Sequence, residues 1–493
     1  MPLIPTSRAL LISLLLHLLL FVCPILAQEE DHDEMGDHEQ KGGHDHHNLP
    51  AETWISSAVT DDPLDSVMWL HILVQCLAFG ILYPFGMVLG LARSRWHVPV
   101  QTLATVLLAM GYFLAHAHHG RNFEPHNAHR GFAYVVIWTL AGQIAAGVYL
   151  KLHWTHGMHM RIRRVIVAAH GWVGVMVPVL GYTQMVLGVI ASVGFCYGEM
   201  TGQCLAHFIM GSSFAGYGII MILMLRVGGP WLRHRGRSQE WYDSWAIMLW
   251  GIVNTFTEHR WGTPWNHGDY QHTSLGILWW AGGAVGIWLA RNRQRNVIPS
   301  LVIMFTGIAM VGHAQHGATS SMSGVIHSYF GYSLGTAAVT RVIEIAFVWK
   351  EGVDRINPWQ HLPPVMLIMA GFLFMASTEE QLRILVNGDV DITSYANVIV
   401  SAAFLVFLYA HVLITLWQTL TGYVDAGAKR MNGFQLLETE DEEEGAEGEM
   451  AERAGLMGSV NGNGNGHAGR RSGRKAAGED YELGKMEGVE DDD

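Results

Sequence analysis

Long apolar stretches separated by short polar breaks recur along residues 66–423. A helix needs about 20 predominantly apolar residues to cross a bilayer, and about eleven stretches in this region approach that length. The predicted spans are 67–92, 97–117, 129–151, 165–193, 206–226, 243–257, 272–290, 297–314, 325–349, 361–382 and 394–420. The pattern therefore predicts an all-α fold, a polytopic transmembrane helical bundle of about eleven spans.

The segments on either side of these spans have other patterns. Residues 1–27 combine one arginine, an apolar stretch and a terminal alanine, which is typical of a cleaved signal peptide; an uncleaved first span is the alternative. Residues 28–65 form an acidic, His-rich segment that we expect outside the cytosol. Residues 424–493 have almost no large apolar side chains, so they are predicted to be a disordered acidic tail.

Charge orients the predicted bundle. The formal net charge of -13 comes from the two tails, with 12 acids and 1 base in residues 28–65 and 18 acids and 8 bases in residues 424–493. With an extracytosolic N-terminus, fifteen lysines and arginines fall in cytosolic loops and four in outer loops, the asymmetry of the positive-inside rule. We predict an integral membrane protein of the secretory pathway, in the plasma membrane or an endomembrane, with its C-terminus in the cytosol. Its expected surroundings are lipid, with no nucleic-acid partner.

The chain has four cysteines, and two of them share one predicted outer loop. Cys196 and Cys204 begin and end the stretch CYGEMTGQC. Because an oxidising compartment favours bond formation between two such thiols, the sequence predicts a structural disulfide in this loop.

Each of the first four predicted spans carries a histidine near its own N-terminal end: His71, His97, His129 and His170. Successive spans run in opposite directions, so His71 and His129 share the outer level and His97 and His170 the inner level. Neutral imidazole is a good iron ligand, and one histidine from each of two helices can bind a haem through both axial positions. With each ligand about one turn inside a ~30 Å core, two such irons would lie roughly 20 Å apart. The alternative is four interfacial or hydrogen-bonded histidines, of which His97 is the shallowest.

Four segments of this region resemble the core helices of cytochrome b561 proteins. They are HILVQCLAFGILYPFGMVLGLAR, WHVPVQTLATVLLAMGY, HRGFAYVVIWTLAGQIAAGVY and HGWVGVMVPVLGYTQMVLG. In that family the first and third core histidines bind one b haem and the second and fourth bind the other. The resemblance covers about residues 66–193 and implies a b561-like four-helix haem core with two haem b groups, one on His71 and His129 and one on His97 and His170.

The same resemblance implies a transmembrane oxidoreductase of the cytochrome b561 type, with a cytosolic electron donor. Ascorbate is the donor that the family suggests, but we identify no basic motif for it, so the donor and the extracytosolic acceptor stay open. No residue is predicted to be catalytic in its own right.

The second half resembles the C-terminal region of fungal Ytp-type membrane proteins, which also carry a b561-like N-terminal part. The segments that carry this resemblance are GQCLAHFIMGSSFAGYG, NTFTEHRWGTPWNHGDYQHTSLGILWWAGG and GHAQHG. It implies a second transmembrane domain over residues 194–423 but little chemistry, since the family is itself functionally obscure.

Histidines and carboxylates collect again at the outer ends of the C-terminal spans. Such side chains bind Fe, Cu or Zn, so this level is a candidate transition-metal site. The predicted ligands are His207, Glu258, His259, His272, His313, His316 and His327. The alternative is a set of hydrogen bonds that cap helix ends. Deeper in the spans, Arg341 and Glu344 are predicted to form a structural ion pair. His411 stands alone in its span and is predicted to be a histidine whose hydrogen bonds are satisfied within the bundle.

Together these patterns predict di-haem, b-type electron transfer between the cytosol and the extracytosolic compartment, with a metal ion as one candidate acceptor. The alternative is a metal-ion transporter or sensor that uses the outer His/carboxylate cluster; a third is a scaffold that binds haem without turnover. The predicted organisation is a signal peptide (1–27), an acidic His-rich extracytosolic segment (28–65), a b561-like domain (66–193), a Ytp-type domain (194–423) and a disordered cytosolic tail (424–493).

Overall fold

The structure is a computed structural model of the 493-residue chain. It describes residues 58–423 apart from 61, 155, 260, 261, 263, 266, 313–319 and 349–355. Every regular element in this described part is helical, so the prediction of an all-α fold is confirmed. The predicted signal peptide, most of the acidic N-terminal segment and the cytosolic tail lie outside the described residues.

The described residues form twelve principal helices, named α1 to α12 in chain order. Their bounds are Ser66–Leu91 (α1), His97–Ala117 (α2), Ala128–Lys151 (α3), Met158–Val193 (α4), Thr201–Arg235 (α5), Gln239–Thr257 (α6), His267–Leu289 (α7), Ile298–Val311 (α8), Ser320–Ile343 (α9), Leu362–Met375 (α10), Glu379–Asn387 (α11) and Ile392–Thr421 (α12). Short π-helical stretches interrupt α1 at Cys76–Leu82 and α5 at Met224–Gly228.

The number of membrane spans is supported in part. Within the described residues, six helices (α1 to α5 and α12) are long and apolar enough to cross a membrane, and α10 with α11 makes a seventh if this pair, bent by 72°, is one span. The other predicted spans coincide with α6 to α9, of which α8 has only 14 residues and the others carry more polar side chains. The count of eleven spans stays a prediction.

Helices α1 to α4 form an N-terminal bundle in which α1 packs on α2 and α3 packs on α4. Their shared core lies at mid-height, where it is built from seven buried residues of all four helices: Ala78, Phe79, Tyr83, Ala104, Val136, Leu140 and Val177. Small side chains such as Ala78 and Ala104, both fully buried, allow the helices to approach closely at this height.

Side-chain caps define where several of these helices begin. Asn127 caps α3 and Asp391 caps α12, each by accepting a backbone N–H of the first turn. Asp65 caps α1 in the same way, and its second oxygen accepts the His119 N–H at 2.9 Å. The hydrogen bonds from His119 and Met68 lower the pKa of Asp65, so its contribution to stability is present above the ordinary carboxyl pKa and is lost as the pH falls below it.

Helices α5 to α12 form the second half of the described structure. Its main packing pairs are α6 with α7, α5 with α10, α8 with α9, and α9 with α10. The two halves meet where Tyr182 of α4 bonds Ser212 of α5 at 2.8 Å and where Tyr409 of α12 donates to the Ile81 carbonyl at 2.6 Å. The first contact joins α4 to α5, and the second joins α12 to α1.

The predicted disulfide is confirmed. Cys196 and Cys204 are bonded, and the bridge joins the short loop after α4 to the first turn of α5. Phe195, Cys204 and Phe208 form a small buried cluster beside it. The bridge therefore ties together the last helix of the N-terminal bundle and the first helix of the second half.

We expect replacement of Cys204 by serine to lower the free energy of unfolding by about 2–3 kcal/mol, because the bond closes a loop with a separation of 8 residues. The measurement is the melting temperature of the detergent-purified protein, followed by tryptophan fluorescence. Cys76→Ser is the matched control, since Cys76 is an exposed free cysteine in α1. Equal melting temperatures for the two variants would contradict the expectation.

Candidate functional site

Two predicted site histidines meet at the end of the N-terminal bundle that carries the Cys196–Cys204 bridge, named the disulfide end. The ring centres of His71 on α1 and His129 on α3 are 6.4 Å apart, and their planes are perpendicular at 90°. Both side chains are half-buried between the helices. The structure thus brings together the two residues that helix direction assigns to the outer level.

The other two histidines meet at the opposite end, named the basic end because its loops hold Arg93, Arg95 and neighbouring arginines. The ring centres of His97 on α2 and His170 on α4 are 6.3 Å apart, with an interplanar angle of 87°. This geometry repeats that of the first pair almost unchanged. Both predicted pairs are therefore present, one at each end of the bundle.

Backbone carbonyls orient three of the four imidazoles. Nδ1 of His71 lies 2.7 Å from the Gly111 carbonyl, Nδ1 of His97 lies 2.7 Å from the Gly86 carbonyl, and Nδ1 of His129 lies 3.0 Å from the Gln184 carbonyl. A carbonyl oxygen only accepts, so each Nδ1 is the protonated donor. In the neutral rings of His71 and His97 this leaves Nε2 with a free lone pair, the tautomer of a metal ligand. At His129 the side-chain amide nitrogen of Gln184 also lies 3.1 Å from Nδ1 and 3.4 Å from Nε2.

His170 is held differently. Its Nδ1 is buried without a hydrogen-bond partner in the described part of the chain, while its backbone carbonyl accepts Nε2 of Gln143 at 3.0 Å. Burying an imidazole nitrogen without a hydrogen-bond partner is energetically unfavourable. A ligand or a water molecule beside His170 would supply the missing hydrogen bond.

The spacing of both pairs can be compared with that of two imidazoles on one iron. Metal–nitrogen bonds of ~2.0–2.1 Å, with about 1.1 Å from each nitrogen to its ring centre, give ring centres about 6.3 Å apart. The observed 6.4 and 6.3 Å match this separation. The ring-centre spacing of each pair is therefore compatible with two imidazoles on one metal ion.

The region between the two pairs is the packed mid-height core of α1 to α4. Phe79 and Tyr83 stack there with ring centres 5.2 Å apart, and both are almost fully buried. This layer of packed side chains separates the two histidine levels.

The predicted metal ligands of the second half form pairs in the described structure. His259 lies 3.0 Å from Asp269, His272 lies 3.0 Å from Glu258, and the rings of His207 and His327 are perpendicular with centres 5.7 Å apart. Among the described residues, no group of three or more His, Cys, Asp or Glu is placed to hold a metal ion. His313 and His316 lie outside the described residues, so the seven-residue site stays a prediction.

Comparison with known families matches two separate parts of the chain and leaves residues 154–179 between them unmatched. Residues 180–418 match the family model for the C-terminal region of proteins like YTP1, and residues 54–153 match a domain of unknown function (DUF2427).

Residues 180–418 are similar to the C-terminal region of proteins like YTP1, and we call them the Ytp1-like domain. The chain is 44% identical to Protein YTP1 of Saccharomyces cerevisiae over 245 residues, which are 49% of this chain and 52% of that protein. It spans about half the length of this relative. An uncharacterised membrane protein of Schizosaccharomyces pombe is 22% identical over 64% of this chain and 86% of its own length, and a second S. cerevisiae membrane protein is 24% identical over 39% of this chain and 40% of its own length. No solved structure matches.

The comparisons leave the N-terminal resemblance untested, because residues 54–153 match a model without an assigned function. The resemblance to cytochrome b561 stays a prediction that depends on the histidine pairs. The Ytp1-like domain supports the prediction that the second half is of the Ytp type, and its relatives are named as membrane proteins.

A buried network of charged side chains lies inside the Ytp1-like domain. The predicted pair is confirmed, with Nη1 of Arg341 2.6 Å from Glu344. The network is larger than predicted, because Nη2 of Arg341 is 3.0 Å from Glu240, which also accepts Arg295 at 2.7 Å. The sequence did not indicate Glu240 and Arg295, because each lies near the end of a predicted span, where charged residues are common.

His411 on α12 is bonded within the bundle, as predicted. Nη1 of Arg226 lies 3.1 Å from Nδ1 of His411. The ring centre of His411 is also 4.9 Å from that of His361, which directly precedes α10. The sequence did not indicate these partners, because residues 50 and 185 positions away become neighbours only after the helices pack.

Proposed function

We propose that α1 to α4 bind two b-type haems, one between His71 and His129 and one between His97 and His170, and that the chain carries electrons across the membrane. The observation that supports this most is the repeated pair geometry, with ring centres 6.4 and 6.3 Å apart and planes nearly perpendicular. Four interfacial histidines without a common role would have no reason to share this spacing.

Haem iron, when bound by two imidazoles, supplies reversible one-electron oxidation and reduction. The residues of the chain supply the orientation of the ligands. The Gly111, Gly86 and Gln184 carbonyls accept the Nδ1 protons of three histidines, which fixes their tautomer and raises the basicity of Nε2. The apolar core at mid-height excludes water between the two levels.

The basic end is the end where we expect the electron donor. Arg161, Arg164 and Trp172 line a groove on α4 beside the turn that carries His170. A groove with two guanidinium groups attracts anionic small molecules and raises their local concentration. An anionic reductant such as ascorbate therefore fits this end, and the acceptor would be reached from the disulfide end.

The transport step is tested with the protein in sealed liposomes that hold ascorbate inside and ferricyanide, which does not cross the bilayer, outside. We expect ferricyanide reduction by the wild-type protein and loss of at least nine-tenths of it in either His71→Ala or His97→Ala. His116→Ala is the control, because its exposed ring bonds only the Tyr112 carbonyl of its own helix. Equal rates in all four proteins would refute the proposal.

A glycine beside the basic-end pair offers a second prediction. A Cβ added at Gly90 would lie 2.8 Å from Nδ1 of His97, so alanine there displaces the imidazole. We expect Gly90→Ala to lower the haem content from about two to about one per chain. Gly80→Ala on the same helix is the control, since nothing lies within 4 Å of its added Cβ. The explanation fails if both variants keep the full haem content.

A second candidate function is metal-ion transport or sensing by the Ytp1-like domain. It is favoured by the His259–Asp269 and His272–Glu258 pairs, both at 3.0 Å between α6 and α7. Zinc or copper uptake into the same liposomes distinguishes the two functions. A transporter would lose metal uptake in His259→Ala and keep it in His71→Ala. An electron carrier would lose ferricyanide reduction in His71→Ala and keep it in His259→Ala.

A further inference from the structure

The Ytp1-like domain has a partly open cavity of about 270 Å³ that neither the haem-binding proposal nor the predicted metal site uses. Six helices surround it, α5 to α10, and its lining is mostly apolar. Phe214, Tyr217, Trp250 and Trp279 supply aromatic surface, and Asp243 with Arg341 supply the polar side. A mostly apolar cavity with a few convergent polar groups is the usual form of a small-molecule site.

The polar side of the cavity has an uneven charge balance. Glu240, Glu344, Arg295 and Arg341 form a connected set of two carboxylates and two guanidinium groups, joined by contacts of 2.6–3.0 Å. The fifth group, Asp243, makes no ion pair in the described part of the chain. Its hydrogen-bond partner is the hydroxyl of Tyr217, which donates to Oδ1. Arg341 and Arg295 are near enough to act on Asp243 electrostatically, but both already pair with other carboxylates. The polar side of the cavity therefore has three carboxyl groups against two guanidinium groups.

The cations of the network are already engaged. Both terminal nitrogens of Arg341 bond carboxylates, Nη1 with Glu344 and Nη2 with Glu240. Arg295 donates to Glu240 through Nε and Nη2. An anionic ligand would have to compete with these buried ion pairs and would lie beside Asp243, so the charges disfavour it.

The aromatic side chains of the lining favour a cation. The indole N–H of Trp279 donates to the Thr306 hydroxyl at 2.8 Å, so it is not available to a ligand. The Trp279 ring lines the cavity. Trp250 and Phe214 line the same space. Aromatic faces attract ammonium groups, and an unpaired carboxyl in an apolar cavity gains most from an opposite charge.

We propose that this cavity binds a small organic cation, a protonated amine with an apolar body, whose ammonium group pairs with Asp243 and whose body lies against Trp250, Trp279 and Phe214. Tyr217 positions the carboxylate by its hydrogen bond. This proposal does not depend on haem in α1 to α4.

Three probes of similar size test the proposed charge preference: 2-phenylethylamine, 2-phenylethanol and 3-phenylpropanoate. Binding to the full-length protein in detergent is measured by calorimetry and by the shift in melting temperature. We expect the amine to bind at least tenfold more tightly than the alcohol and the acid to bind most weakly. If the alcohol or the acid binds the wild-type protein as tightly as the amine, the proposal is overturned, and this comparison needs no variant.

Two substitutions then test the assigned residue. Asp243→Asn keeps the shape of the side chain, and we expect it to lower amine affinity to the level of the alcohol without changing the affinity for the alcohol. Asp389→Asn, in the exposed turn after α11, is the control and should bind the amine like the wild type. Unchanged amine affinity in a folded Asp243→Asn protein would overturn the proposal as well.

Discussion

Alanine in place of His71 or of His129 is expected to lower the haem content from about two to about one per chain. Each variant removes one of the two imidazoles that would hold haem at the disulfide end, and a single imidazole would bind it too weakly to keep it through purification. The pair at the basic end shares no ring contact with this pair, so its haem stays. The measurement is the haem content by the pyridine haemochrome assay, divided by the protein concentration from amino-acid analysis.

The matching variants sharpen this test. His97→Ala is expected to give the same loss through the other pair, and the His71→Ala/His97→Ala protein is expected to have no haem. His116→Ala serves again as the control, because its Nδ1 lies 2.9 Å from the Tyr112 carbonyl of its own helix. A haem content that is the same in His71→Ala and His116→Ala would contradict the assignment of the first pair.

The second large effect is expected in the charge network of the Ytp1-like domain. Arg341→Met leaves Glu344 and Glu240, which are 2% and 1% exposed, with one guanidinium fewer. Removing one partner of a buried ion pair costs about 3–5 kcal/mol, because the other charge stays buried without compensation. We therefore expect a loss of that size in the free energy of unfolding, measured by denaturant titration with tryptophan fluorescence.

Two comparisons separate this cause from a general effect of losing an arginine. Arg291→Met removes an arginine that lies over the exposed Trp288 ring at 3.8 Å, a contact worth about 0.5–1 kcal/mol. The Arg341→Met/Glu344→Leu protein removes both partners and leaves Glu240 paired with Arg295. We expect this double variant to be more stable than Arg341→Met alone, and the reverse order would count against the network.

The histidine pairs could be predicted from the sequence, because the pairing depends only on where each histidine lies within its span and on the order of the spans. Depth follows from position within an apolar stretch, and direction alternates from one span to the next. Those two properties put His71 with His129 and His97 with His170, and the structure has both pairs. The Cys196–Cys204 bond was predictable for the same reason, since both cysteines lie in one short loop.

Contacts between distant helices were not accessible in this way. Arg341 and Glu344 are three residues apart, so their pairing was predictable, but Glu240 is 101 residues away from Arg341 and meets it only through packing. The same holds for His361 with His411. The cavity beside Asp243 arises because six helices meet there without filling the space between them, which no single stretch of sequence indicates.

Hydropathy alone does not determine the number of membrane spans. A helix that packs inside a bundle can carry polar residues such as Glu240, because its partners satisfy them, and it then falls below the hydropathy of a lipid-facing helix. The stretches predicted as spans at 243–257 and 325–349 are helical as far as they are described, to residue 348, yet their composition does not mark them as crossing a membrane by themselves.

The most direct test of the central claim is the reduced-minus-oxidised absorption spectrum of the detergent-purified wild-type protein, expressed with added haem precursor, with haem quantified per chain. The account predicts sharp b-type bands and about two haems per chain, both reducible by dithionite. A flat difference spectrum from protein that is folded and monodisperse would contradict it. In that case the four histidines have another role, and the pairs between α6 and α7 become the first place to look for the function.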